Sequence, residues 1–150
     1  MNRLRRLLAE DHAEEGSAIV EFIVLTFVLL VPLVYLILTF FQLQGAAFAA
    51  EGAARDAGRL LAASRDEVAG RDSAELATRI SFDDAGFPGP VSLHLECSGS
   101  PCLSSGSAIR ATVTTEVALP LIPLGIVDAL GARVPVSGTA VTIVDEWVNR

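Results

Sequence analysis

From Phe22 to Phe41 the chain carries no charged residue, and Thr26 and Thr39 are its polar positions. A run of this kind has the length, roughly 20 residues as a helix, that crosses the hydrocarbon core of a bilayer. At its lip stands one carboxylate, Glu21, a helical turn beyond Gly16-Ser17. A charge at the centre of a spanning helix costs about 2.5–3.5 kcal/mol on insertion scales, and less near an edge. Intramembrane carboxylates mark function by default, so Glu21 is the first residue to explain.

The rest of the chain is organised around that run. Residues Met1 to Glu15 mix Arg3, Arg5 and Arg6 with Glu10, Asp11, Glu14 and Glu15. The basic start favours an N-terminus in the cytoplasm, although Arg55, Arg59 and Arg65 flank the other side. Pro32 lies inside the run, where it removes a backbone hydrogen bond and predicts a kink. Beyond Phe41, the stretch Gln44–Ala63 is rich in alanine, with Gly45, Gly52 and Gly58. Alanine is the best helix former, and small side chains let backbones approach closely. Glu51 and Arg55 have the favourable order for an i,i+4 ion pair. One helix from about Ser17 to about Ala63 is the expectation, with only its first half needing lipid.

Ser64–Gly70 reads as a connector. Asp72-Ser73-Ala74-Glu75 has the form of a capping box, with a short helix expected to follow to about Ile80. Asp83-Asp84-Ala85-Gly86-Phe87-Pro88-Gly89-Pro90 reads as a turn-rich break. Val91, Leu93, Leu95 and Cys97 alternate with Ser92, His94 and Glu96, and Ile109 to Val117 alternates likewise. Both are half-buried strands by their period of two, with His94 on the polar face. Leu119–Leu130 reads as an apolar loop or helical turn. A third strand is expected over Val134–Val144, with Pro135 at its start and Gly138 at a bulge.

The fold class implied is α+β: a long N-terminal transmembrane helix continuing into an Ala-rich helix, then a small antiparallel sheet. A three-stranded sheet needs a cover on its apolar face, from the Ala-rich helix or the short second helix. The segments are a leader over 1–16, a transmembrane helix over 17–42, a helical stalk with the short helix over 43–80, and a β-rich extracytoplasmic domain over 81–150.

Composition narrows the function classes. A net charge of -7 argues against nucleic-acid partners. Cys97 and Cys102 suit a disulfide that closes a small loop if this region lies outside the membrane. A zinc site would need two further ligands, and His12 and His94 fall on opposite sides of the apolar run. Asp83 and Asp84 lack the regular oxygen spacing of a calcium loop. No metal or cofactor is expected. Nor is an enzyme, since no phosphate loop and no nucleophile with a base in motif context is present.

Gly16-Ser17-Ala18-Ile19-Val20-Glu21-Phe22 and the unbroken apolar helix resemble the start of type IV pilin-like proteins. More closely, they resemble the opening of TadE-like proteins of the tight-adherence (Flp-type) pilus system. The small-residue stretch Ala49–Ala57 is also similar to that family. The specific part covers Gly16 to roughly Leu61. The resemblance implies a minor pilin or pseudopilin of the cytoplasmic membrane, single-pass, with its C-terminal domain outside. Its partners would be the lipid bilayer, other pilin-like subunits, the pilus assembly machinery and a prepilin peptidase cutting between Gly16 and Ser17. Glu21 and Phe22 would then set subunit packing and register, the Glu21 carboxylate meeting a freed Ser17 amine at the positive end of the helix dipole. Glu14 and Glu15 depart from the usual basic leader, and the length exceeds that of a major Flp-type pilin. Two other readings compete. One is a plain single-span anchor for an outer binding domain. The other is a secreted protein cut after Ala47-Phe48-Ala49, although the apolar run is longer than a signal core.

Overall fold

The computed structural model describes residues 2–120, 131 and 133–145, with side chains from Ser17 onward. The order is α1 (Asn2–Ala63), α2 (Glu67–Asp84), β1 (Val91–Cys97), β2 (Ala108–Ala118) and β3 (Arg133–Ile143). The class is α+β, as expected. Two compact units divide at Thr39/Phe40, so the Ala-rich half of α1 belongs with α2 and the sheet.

Helix α1 starts earlier than its apolar run, at Asn2, and ends where expected, at Ala63. In its second half, Ala46, Ala50, Ala53, Ala54, Ala57 and Leu61 are buried. Their spacing puts them on one stripe. Glu51, Arg55, Asp56 and Arg59 stay in solvent on the other side. The Glu51–Arg55 pair forms at 3.2 Å.

Helix α2 begins and ends differently from the sequence expectation. Its N-cap is Asp66, whose carboxylate accepts from the Ala69 amide at 2.8 Å. Asp72 and Glu75 lie inside the helix, and Glu75 pairs with Arg79 instead of reaching back. The supposed break at Asp83 is the last turn of the helix. It closes with Gly86 at φ +81°. The Gly86 amide donates to the Asp83 carbonyl at 3.1 Å and the Phe87 amide to the Phe82 carbonyl at 2.9 Å. This is a Schellman cap, which wants glycine at the left-handed position and an apolar pair across it, here Phe82 and Phe87.

The sheet is antiparallel in the order β1-β2-β3. Its inner face carries Leu93 and Leu95 from β1, Ile109, Ala111, Val113 and Val117 from β2, and Gly138 and Ala140 from β3. Both helices cover it. Alanines from α1 pack with Ala74 and Phe82 of α2 and with Ala111 and Val113 of the sheet. A second cluster joins Leu61 to Ile109, Val144 and Cys102. Cys97 and Cys102 form a disulfide across the β1–β2 connection, with their Cα atoms 5.2 Å apart. Arg71 ties α2 to β1, its Nη1 donating to the Leu95 carbonyl at 3.3 Å.

Gly138 is not a bulge. The β2–β3 register runs unbroken through Val113↔Gly138. Its role is close approach: a Cβ built there would collide with the backbone of Ala50 and Glu51. Four residues on, Thr142 meets Gly58 of α1. Eight helical residues rise about 12 Å and four strand residues about 13 Å, so α1 and β3 run alongside each other with matched rise. The apolar stretch expected as a loop over Leu119–Leu130 lies, from Leu121 on, outside the described residues.

Two measurements check this packing, each on the full chain in detergent. Gly138→Ala should destabilise the outer unit by about 1–3 kcal/mol, because neither backbone can give way. Gly52→Ala, where an added Cβ meets nothing within 4 Å, should instead raise stability by about 0.5–1 kcal/mol. Urea midpoints read both, and equal shifts in the two variants would contradict the packing. Replacing Cys97 and Cys102 with alanine should cost about 2 kcal/mol, the loop-closure value for so short a ring.

Candidate functional site

The candidate site is the apolar part of α1. From Ser17 to Ala63 the helix is long and apolar enough to cross a membrane, with an 18-residue window of mean hydropathy 2.8 that is 0% buried. Phe22 is 69% exposed, Leu29 65% and Phe41 68%. Valine, isoleucine, leucine and phenylalanine surround the helix on every side. A soluble surface does not carry a continuous apolar cylinder of this length. Apart from the Val28 carbonyl, whose donor Pro32 removes, the backbone satisfies itself within the helix, as a lipid-exposed segment must.

The threonines of the run follow the same rule. Thr26 Oγ1 donates to the Phe22 carbonyl at 2.8 Å, and Thr39 Oγ1 to the Tyr35 carbonyl at 2.9 Å. Their hydroxyls are therefore spent inside the helix. Glu21 differs. Its carboxylate makes no hydrogen bond and no ion pair among the described residues, and it is exposed. It sits among Ser17, Val20, Val24, Leu25 and Val28 on one side of the helix.

At about 100° per residue, Ser17, Val28, Pro32, Tyr35 and Thr39 all fall within about 40° of Glu21. One face thus gathers the carboxylate, the phenol, a serine and a threonine, while Phe22 and Leu29 point elsewhere. Polar residues in a spanning helix face protein or water in preference to lipid, so this is the side that would meet a partner. The sequence reading overlooked Tyr35 as a member of this face. Projecting the run on a helical wheel is the signal that finds it.

The remaining predicted residues are dispersed. Gly16 and Ser17 lie within α1, with no break between them, and Pro32 is inside the same helix. Cys97 and Cys102 belong to the outer unit. Glu67 lies with them, the three ligand atoms within 4.8 Å of one another. Both sulfurs are in the disulfide, so neither can serve as a thiolate ligand. Glu67 is instead held by Arg71 at 2.9 Å. His94 is exposed on the outer face of the sheet, 3.4 Å from Glu96.

Comparison with protein-family models, with curated protein sequences and with solved structures gave no match. Function therefore rests on the residues themselves.

A direct test of the spanning segment is extraction by alkaline carbonate. The full chain should remain with the membrane pellet. Arginine at both Leu29 and Leu30 adds about 5–7 kcal/mol to insertion and should move much of the protein to the supernatant. Retention of that double variant would show attachment by another route.

Proposed function

We propose that this chain is a pilin-like membrane subunit that acts in assembling a surface filament of the tight-adherence type, by helix packing and not by catalysis. The observation that carries the reading is Glu21: a carboxylate with no partner among the described residues, on an exposed, membrane-length apolar helix, with an α+β head beyond it. The resemblance of Gly16–Phe22 to TadE-like openings supplies the biological class.

In this reading the chain sits in the cytoplasmic membrane with its N-terminus inside and its head outside. A prepilin peptidase cuts after Gly16. The new Ser17 amine then stands at the N-terminus of a helix, where the dipole disfavours positive charge. Glu21 lies one turn away, within reach of that amine on its own or a neighbouring subunit. Opposite charges at 4 Å attract by about 4 kcal/mol at an effective dielectric of 20. Desolvation offsets part of this, so the pair contributes more to axial register than to net affinity.

Glu21→Gln keeps the shape and removes the charge. Membrane insertion should be unchanged, while recovery in pili or in cross-linked pilus complexes should fall about ten-fold or more, equivalent to 1.4 kcal/mol. Normal assembly of that variant would remove the register role. Mass spectrometry of the protein from native membranes should find Ser17 as the first residue. A start at Ala50 would replace this reading with a secreted domain, and an intact Met1 would leave a membrane-anchored subunit without the cleaved amine.

A further inference from the structure

We propose that one end of the outer unit is a lipid-contact face, seated on the zwitterionic headgroup layer beside the point where α1 leaves the bilayer. The proposal rests on the membrane-spanning reading of α1 and adds to it a named surface. The outer unit begins at Phe40, so its first helical turn is the turn that ends the apolar run. Phe40 and Phe41 are 58% and 68% exposed and stand edge to face, ring centroids 6.2 Å apart. Exposed phenylalanines belong to the apolar side of segments seated at the membrane–water boundary.

In this proposal, what packs beside that turn lies near its depth. Gln42 Nε2 donates to the Ala118 carbonyl at 3.4 Å, which fixes the end of β2 there. A Cβ on Gly45 would lie 3.3 Å from the Phe87 ring, which fixes the Gly86–Pro90 loop there too. Arg133, at the start of β3, pairs with Ala118 in the sheet register. Together Gln42, the Phe87–Pro90 loop, Ala118 and Arg133 border an open cleft of about 360 Å³.

The chemistry of this end suits headgroups. Pro88, Gly89 and Pro90 are exposed, and two prolines offer apolar surface with no backbone N–H to leave unsatisfied. Glu116 and Arg133 border the same cleft and present both signs of charge. From Phe40 on, 13 acidic residues against 8 arginines give a net charge of -5, which disfavours anionic lipid and selects a zwitterionic headgroup. The opposite end, with the disulfide and Ser105, lies the length of β2 away, about 33 Å for an 11-residue strand.

The test places single tryptophans in the full chain, in a Trp147→Phe background, reconstituted in phosphatidylcholine vesicles. Gly89→Trp and Pro88→Trp report the face, Ser105→Trp the far end, and Leu30→Trp the span. Gly89 has open space around its Cβ, so its substitution does not disturb the fold. A nitroxide on the lipid headgroup should quench Gly89→Trp and Pro88→Trp at least about three-fold more than Ser105→Trp, as expected for residues at the interface. Bromine deep in the acyl chains should quench Leu30→Trp. If Leu30→Trp is quenched by bromine while both face reporters match Ser105→Trp, the lipid-contact face is wrong and the spanning helix stands. If Leu30→Trp is not quenched by bromine, the spanning reading fails and the proposal fails with it.

Discussion

The close contact of α1 with the inner face of the sheet is the constraint on which the outer unit depends. Alanine carries little area to bury, so a core built on Ala50, Ala53, Ala54 and Ala57 holds together only if the backbones come near. Gly138 makes that approach possible on β3, and Ala111 continues it on β2. Larger residues then fill the margins: Phe82 from α2, and Leu61 and Ile109 at the far end. The matched rise of α1 and β3 follows from the same geometry, since a flush contact cannot drift in register along its length. A sheet of three strands would otherwise leave its apolar face open.

The same composition lets one helix serve two solvents. Over residues 22–41, large aliphatic and aromatic residues face outward on every side, which suits lipid. In its second half, alanines face inward and charged residues outward, which suits a protein core in water. The change occurs over Gln42–Ala46 with the helix unbroken; Gly45 costs about 0.5–1 kcal/mol there relative to alanine but gives room to the Phe87 ring. The ion pairs of the outer unit's helices, Glu51–Arg55, Glu67–Arg71 and Glu75–Arg79, are all i,i+4 pairs at or near the surface. Such pairs are worth a few tenths of a kcal/mol each. They favour helicity and solubility, while the fold depends on the alanine face and the disulfide.

Much of this was legible in the sequence, and the exceptions have physical causes. The strands were, because alternation over Val91–Cys97 and Ile109–Val117 reports one buried face directly. The long helix was, because apolar length and alanine content both favour it. The start of α2 was not. Asp66 and Asp72 each precede good helix formers, so the local cap signal is degenerate. Gly70 decides it by packing against Leu61 and Ser64, a contact no local rule contains. The end of α2 could have been read from Gly86 flanked by Phe82 and Phe87. Gly138 could not, since glycine in a strand signals either a bulge or a close neighbour, and only the position of α1 distinguishes them. In the candidate site, Glu21 and Phe22 were visible as a motif, whereas the face that Glu21 shares with Tyr35 and Thr39 emerges only from helical phase.

That face also bears on what kind of partner α1 can take. The Thr26 and Thr39 hydroxyls are already satisfied by carbonyls of their own helix, so they offer a neighbour little more than shape. Glu21 at the lip of the run brings a charge with no partner among the described residues. A neighbouring helix would therefore find one strongly directional contact near one end of the span and soft apolar packing over the remaining length, some 27 Å from Glu21 to Thr39. Such an arrangement specifies axial position sharply and rotation loosely. It tolerates small changes in helix crossing while resisting a slip along the axis, because a slip of one turn moves the carboxylate about 5.4 Å from its counter-charge. A plain anchor has no need of that asymmetry. In the pilin-like reading proposed above, a subunit added repeatedly at a fixed stagger does.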